Sequence, residues 1–431
     1  MSFFDCRDGV LHAEGVALPA IADAVGTPVH VYSAGALRHA ADAFTSALRD
    51  LPATRFAFAV KANPNSAVLR LLAGCGYGAD IVSGGELRRA LDAGIAPAKV
   101  VFSGVGKTDR ELIDALEAGI GQFNLELEEE GEVLAQLARG RRMRAPAVLR
   151  VSPDVDGGTH AKITTGKRTS KFGVDIAGAP DMYDRLAQLA GLDLQGVALH
   201  IGSQISDLEP LEAAYRRIGA LIAELRTRGH TITRVDLGGG LGIAYRPEDK
   251  MPSLTDYAAM VSRVTRDWNV SLTFEPGRII TGSAGVLLTR VIWVKPGATH
   301  PFVIVDSAMN DLARPALYDA YHRFSAVRPD GRTMVANIAG PVCETGDMFG
   351  IDRPIDQVCR GDLAVFHATG AYGAAMASSY KSRPVSPQVM VDGDTFELVG
   401  DRHAPCDMSA GPEREPWTVC RAPNVPLTQA A

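Results

Sequence analysis

The stretch FAFAVKAN, residues 56–63, is a run of apolar, strand-forming residues that ends in Lys61 and is followed by a turn at Asn63-Pro64. Placing an ammonium at the end of a buried strand is costly unless something there requires it. Outward from this point the same unit recurs. Strand-like runs at 56–60, 79–82, 100–102, 122–124, 147–151, 197–200, 235–237 and 272–275 alternate with helix-like segments at 66–72, 86–93, 108–118, 128–138, 180–189, 208–225 and 257–267. In the sixth helical segment Leu208, Leu211, Ile218, Leu221, Ile222 and Leu225 fall on one face. Eight strands with intervening helices predict a (β/α)8 barrel of TIM type, since an open doubly wound sheet usually has fewer strands.

Beyond Glu275 the texture changes to short alternating runs, at 284–294, 302–306, 363–366 and 389–398, separated by Gly, Pro and Asp turns. These predict a C-terminal all-β domain. The strand-like GVLHAEGVAL (9–18) is expected to join it, which gives a barrel over 28–276 and a β-rich unit from 1–27 and 277–431, with an irregular tail beyond about residue 400. A formal net charge of -6 and the lack of a Lys/Arg stripe argue against nucleic acid as a partner. No apolar run approaches membrane-helix length and the N-terminus lacks a basic-then-apolar leader, so a cytoplasmic protein is expected. The 6 Cys are scattered without CxxC pairs, which points to reduced thiols and to no metal site.

Reactive groups of such barrels sit where strands end on the C-terminal face. Lys61 follows the first strand, His200 ends the sixth, Gly238-Gly239-Gly240 follow the seventh and Glu275 ends the eighth. Taken singly, each has an ordinary structural reading: a lysine snorkelling to solvent, a satisfied core histidine, a tight turn, and an ion pair with Arg278. Together, an amine, a glycine cradle for an anion and a carboxylate at adjacent strand ends describe a pyridoxal phosphate site. Burial is expected to lower the Lys61 pKa and free the amine as a nucleophile. A carboxylate at the ring nitrogen keeps it protonated and favours loss of CO2 at Cα, whereas a racemase is served by a weaker electron sink.

FAVKAN (58–63), HIGSQ (200–204), DLGGGLG (236–242), EPGR (275–278), RPALYDAYH (314–322), GPVCETGD (340–347) and GAYG (370–373) together resemble the diaminopimelate decarboxylase family. This is an alanine-racemase-like group of pyridoxal phosphate enzymes, and the likeness runs from about residue 5 to about 400. The resemblance implies that Lys61 holds the coenzyme as an imine and that His200 stacks on its ring. Ser203, Gly239, Gly277, Arg278 and Tyr372 would bind the coenzyme around its phosphate, with Glu275 at the ring nitrogen. Substrate would be gripped by Arg278, Arg314, Tyr318, Glu344 and Tyr372, and Cys343 would protonate Cα. The resemblance also implies a homodimer in which the Cys343-Glu344 segment enters the partner's barrel mouth.

Residue chemistry bears on the substrate. If Pro315 opens a helix, Arg314 and Tyr318 share a face, and a guanidinium beside a phenol suits a carboxylate. Two arginines and a glutamate fit the distal zwitterion of meso-diaminopimelate better than the lone distal cation of ornithine or arginine. The family pattern is departed from in CETGD, where relatives commonly read CESGD, and in SSYK, where Lys381 replaces an asparagine. A paralogue acting on another amino acid and a non-enzymatic coenzyme carrier remain the alternatives. The polar GGTHAKITTGKRTSKFG (157–173) reads either as a solvated loop or as a lid over the mouth.

Overall fold

The computed structural model describes residues 3–403 except 159, 161, 163–164 and 168–169; most of the expected irregular tail, and parts of the 157–173 segment, lie outside the described residues. Eight parallel strands close into a barrel: Thr54–Ala59, Gly78–Ile81, Val100–Phe102, Gln122–Leu125, Ala145–Ser152, Leu192–Ala198, Arg234–Asp236 and Ser271–Phe274, the last pairing with the first. The sixth strand starts earlier than the apolar run suggests, because Asp193 and Gln195 interrupt the pattern. A register shift between Leu194 and Gly196 accommodates them, and a side chain at Gly196 would collide with the Arg234 carbonyl.

Helix starts follow their caps. Asn65, Ser83, Thr108 and Ser253 each accept a backbone N–H with the side chain, and Thr108 with Glu111 completes a capping box. A further helix absent from the sequence reading, Ala34–Ala47, packs against both Ser66–Gly74 and Leu254–Thr265, and so fills the place of a helix after the eighth strand. Its Phe44 meets Phe56 and Phe274, rings of the first and last strands, at 5.9 and 6.3 Å, which ties the helix to the seam where the barrel closes.

A second sheet runs Met348–Asp356, Thr333–Ala339, Phe302–Val305, Gly285–Lys295, Val29–Ser33, Gln388–Asp392, Thr395–Gly400, with Leu363–Phe366 also on Gly285–Lys295. Val29–Ser33, assigned to the barrel from the sequence, bonds entirely within this sheet: its residues are buried throughout, as a central strand requires, rather than alternating. The N-terminal strands Phe4–Arg7, Val10–Ala13 and Val16–Ala17 form a small sheet of their own. Leu11, Val16 and the following helix Leu18–Val25 pack its apolar face onto Val29, Val286, Val365 and Val389.

The two sheets meet at the barrel mouth. Tyr372 donates its backbone N–H to the Ala62 carbonyl at 2.8 Å, and the Asn63 amide donates to the Gly370 carbonyl at 2.9 Å. The GAYG turn is thereby fastened to the turn that carries Lys61. Gly370 must be glycine, since a Cβ there would strike the Thr281 carbonyl.

Candidate active site

Barrel register sets the site's first layer. Ala59 lies opposite Asp80 and Ala198 opposite Asp236, so carboxylates of the second and seventh strands stand at the level where Lys61 leaves the first. Lys61 occupies the single turn Val60–Ala62 and forms a salt bridge with fully buried Asp80. Burial acts to lower the Lys61 pKa, as expected from sequence, but the Asp80 and Glu275 carboxylates and the Tyr372 phenol outweigh it and the pKa is raised. The expectation of a neutral amine fails because the sequence reading does not place Asp80.

Glu275 begins the loop after the eighth strand and is buried. Burial first, then the charges of Asp236 and Asp80, hold it well above the usual carboxylate range. Asp236 is pushed up to about 6, chiefly by burial, against the hydrogen bonds it accepts from the Gly238 N–H and Gln122 at 2.9 Å each. Glu275 makes no ion pair with Arg278. Its Oε1 is buried without a hydrogen-bond partner among the described residues.

His200 accepts the Gly239 N–H on Nδ1 at 3.3 Å, which places its own proton on Nε2. Burial, then the charges of Lys61 and Arg150, keep its pKa well below the ordinary value. The three glycines are required by close approach. Side chains at Gly238, Gly239 and Gly240 would meet the carbonyls of Leu199, Glu275 and Gly202. They let the strand ends bearing His200 and Glu275 close around one point.

Arg278 and Arg314 are both buried, and neither has a carboxylate within ion-pair reach among the described residues. Arg278 donates to Ser203 Oγ at 3.0 Å and to the Tyr245 hydroxyl at 2.6 Å, with Tyr372 stacked 4.8 Å from its guanidinium. Arg314 lies 4.7 Å from the Tyr245 ring and donates to His322 Nε2 at 2.9 Å. It opens the helix Arg314–Tyr318, so Tyr318 stands one turn away, in agreement with the spacing. Two buried cations on one aromatic ring, without counter-ions among the described residues, are suited to hold an anion.

These groups line one cavity of about 510 Å³ that holds Lys61, His200, Ser203, Tyr245, Arg278, Arg314, Tyr318 and Tyr372. His160, Lys162 and Phe172 of the polar 157–173 segment border it, and Thr165 donates to the His200 carbonyl at 2.8 Å. A larger cleft of about 830 Å³ beside the N-terminal sheet contains none of the predicted site residues, so volume alone does not locate the chemistry. Cys343 and Glu344 are exposed and do not line the cavity. The Cys343 carbonyl accepts from Lys381 Nζ at 2.5 Å.

Sequence reasoning misses Asp80, Asp236, Tyr245 and His322. The first two carry a signal, an acidic residue inside an apolar strand in GADIV (78–82) and RVDLG (234–238). Tyr245 sits in an irregular loop, where no periodicity singles it out.

The donor set fits pyridoxal phosphate. Lys61 is an amine open to the cavity, the partnerless Glu275 oxygen faces the need of a ring N–H, and the glycine turns leave room where side chains would clash. A closed parallel barrel with these groups at one mouth, joined to an all-β domain, defines a pyridoxal-phosphate enzyme of the alanine-racemase-like class. Residues 37–282 match the family model described as the pyridoxal-binding domain of pyridoxal-dependent decarboxylases. The chain is 49% identical over 417 residues to the diaminopimelate decarboxylase of Zymomonas mobilis, covering 96% of this chain and 99% of that one. With the Pseudomonas aeruginosa enzyme of the same name it shares 46% identity over 95% of its length and 99% of the other's. Among solved structures, diaminopimelate decarboxylase from Helicobacter pylori complexed with L-lysine superposes with TM-score 0.88 at 34% identity, covering 91% of this chain and 98% of that one. The M. jannaschii enzyme in complex with L-lysine gives 0.90 at 33% identity over 94% and 96%. The chain belongs to the diaminopimelate decarboxylase family.

Proposed function

We propose that the protein decarboxylates meso-2,6-diaminopimelate at its D centre to L-lysine and CO2, the last step of lysine biosynthesis, as a homodimer whose copies share each site. The observation that carries the substrate assignment is the pair Arg278 and Arg314, buried without counter-ions among the described residues in the cavity that holds Lys61. Arg278 would face the coenzyme phosphate, so ornithine or arginine would leave the Arg314 charge without a distal carboxylate to answer it, and an unpaired buried charge is costly.

Pyridoxal phosphate, when bound, supplies the sink for the electron pair left at Cα when the carboxyl group leaves as CO2. Lys61 would hold it by the ε-amine, Glu275 would face its ring nitrogen, and Gly239, Gly277, Arg278 and Ser203 would surround its phosphate. His200 presents the face of a neutral imidazole. Arg314 and Tyr318 orient the distal carboxylate. Cys343 and Glu344, exposed and outside the cavity of their own chain, act in the mouth of the second copy. There the Cys343 thiol delivers the proton to Cα and is reprotonated from water, while Glu344 takes the distal ammonium.

The test is a panel of amino acids with coenzyme-loaded protein, scored for CO2 and for the amine formed. Lysine from meso-diaminopimelate supports the reading. CO2 from ornithine, arginine or lysine with none from diaminopimelate overturns it.

A further inference from the structure

His322 closes the RPALYDAYH motif, and neither coenzyme nor substrate is assigned a contact with it. It is 1% exposed, and both ring nitrogens are committed. Nδ1 lies 2.9 Å from the His367 carbonyl, which can only accept, so the ring proton sits on Nδ1. Nε2 therefore carries a lone pair, and it accepts from Arg314 Nη1 at 2.9 Å. The Tyr245 ring stands edge-on to the imidazole at 5.2 Å and 4.7 Å from the Arg314 guanidinium, which closes the far side.

We infer that His322 is a positioning residue that fixes the Arg314 guanidinium through a neutral acceptor, so that its full positive charge stays available for the distal carboxylate of the substrate. An Asp or Glu at this position would hold the arginine equally well but would neutralise it, and an incoming carboxylate would then compete with an internal one. A buried arginine is usually steadied by an acid. Here it is steadied by an imidazole that cannot carry charge without losing the contact, since protonating Nε2 removes the acceptor. Burial and the Arg314 charge push the His322 pKa down to about 3, in keeping with that arrangement. The device selects amino acids bearing a second, distal carboxylate over those ending in a cation alone.

This inference rests on Arg314 binding substrate, and three variants separate the two. For His322→Asp, the KM for meso-diaminopimelate should rise roughly 10- to 100-fold, the usual weight of a hydrogen bond to a charged group, with kcat within about twofold and the coenzyme band unchanged. His322→Gln, which keeps a neutral acceptor, should stay within about threefold of the parent KM. Arg314→Met should raise KM at least as far as His322→Asp. Unchanged KM in Arg314→Met overturns the arginine's role and this inference with it. A raised KM in Arg314→Met beside an unchanged one in His322→Asp overturns the inference about His322 alone. Equal damage in the Gln and Asp variants, or a fall in kcat at constant KM, shows a merely structural histidine and also overturns it. Should His322→Asp fail to fold, His322→Ala takes its place, with a rise in KM expected and an unchanged KM counting against the inference.

Discussion

Lys61 and Asp80 form a salt bridge across the ends of adjacent barrel strands, the carboxylate wholly buried and the ammonium about a third open to the cavity. The bridge holds Lys61 charged in the coenzyme-free protein, and an amine must lose its proton before it attacks an aldehyde. Asp80→Asn keeps the burial and removes the largest of the opposing charges, so the Lys61 pKa should fall. Coenzyme uptake by the apoprotein, followed by absorbance, should then move to lower pH. Its rate at pH 7 should grow in proportion to the neutral fraction of the amine, about tenfold where the pKa drops by about one. An unaltered profile would show that Asp80 does not govern the amine. Stability has its own sign. A lysine whose folded pKa is raised contributes fully below its unfolded value of about 10.4 and loses that contribution only as pH rises through the folded value. Lys61 therefore adds no slope between about pH 6 and 9.

Glu275 and Asp236 are raised acids, so the slope has the same sign as for Lys61 but falls in a much lower pH window. In the window above the ordinary carboxylate range the folded chain holds protons that the unfolded chain has released, so stability falls as pH rises through it. For Asp236 the window ends at about 6. Glu275→Gln keeps the shape and deletes one charge from the cluster. The apoprotein should gain about 1–3 kcal/mol against urea at pH 8, and the gain should shrink toward about pH 3, where the acids are largely protonated in both states. Turnover of the loaded variant should drop roughly 100-fold, the usual size of a lost preorganised electrostatic partner. A variant less stable than the parent at pH 8 would show that the cluster is not strained.

Tyr245 serves both arginines, its hydroxyl accepting from Arg278 and reaching Arg314, whose guanidinium its ring also faces. Tyr245→Phe removes the hydroxyl from both arginines while keeping the ring, and should raise KM about 5- to 10-fold with kcat little changed. Tyr245→Ala removes the ring as well and should raise KM further, as cation–π contacts in desolvated sites are worth about 2 kcal/mol. Equal KM values for Phe and Ala would leave the ring without a part in holding Arg314.

What the sequence discloses follows from what leaves a periodic trace. Barrel strands and helices do, because burial on the inner layer and on one helix face imposes regular apolar spacing. Lys61, His200 and Glu275 are legible because polar residues interrupt that spacing at strand ends. Val29–Ser33 is not singled out as a strand and falls inside the bounds given to the barrel, because its partners Gly285–Lys295 and Gln388–Asp392 lie far along the chain. Phe324–Ala326 escapes notice because it is three residues long, and Thr333–Ala339 and Met348–Asp356 because polar residues, with Pro354 in the latter, break their alternation. His322 stands in a motif that the sequence does single out, yet its role depends on the His367 carbonyl 45 residues later, a contact without local signature.

Cys343 and Glu344 are exposed and stand apart from the cavity around Lys61, so a dimer with shared sites makes a stoichiometric prediction. Lys61→Ala and Cys343→Ala should each be nearly inactive, while Cys343→Ala alone keeps the coenzyme's absorbance. When the two are dissociated, mixed in equal amounts and reassociated, half of the dimers pair one copy of each. Every such dimer has one site with both lesions and one with neither, so activity should recover to about a quarter of the parent's. The recovered enzyme should show the parent KM, since its intact site is unaltered. If mixing restores nothing while size-exclusion chromatography confirms exchange, each site is built within a single chain, and Cys343 must then reach Lys61 by a rearrangement of its own 340–347 segment. Recovery near a quarter would place the proton donor on the opposite copy and explain why the Lys381 contact to the Cys343 carbonyl lies away from the barrel mouth of its own chain.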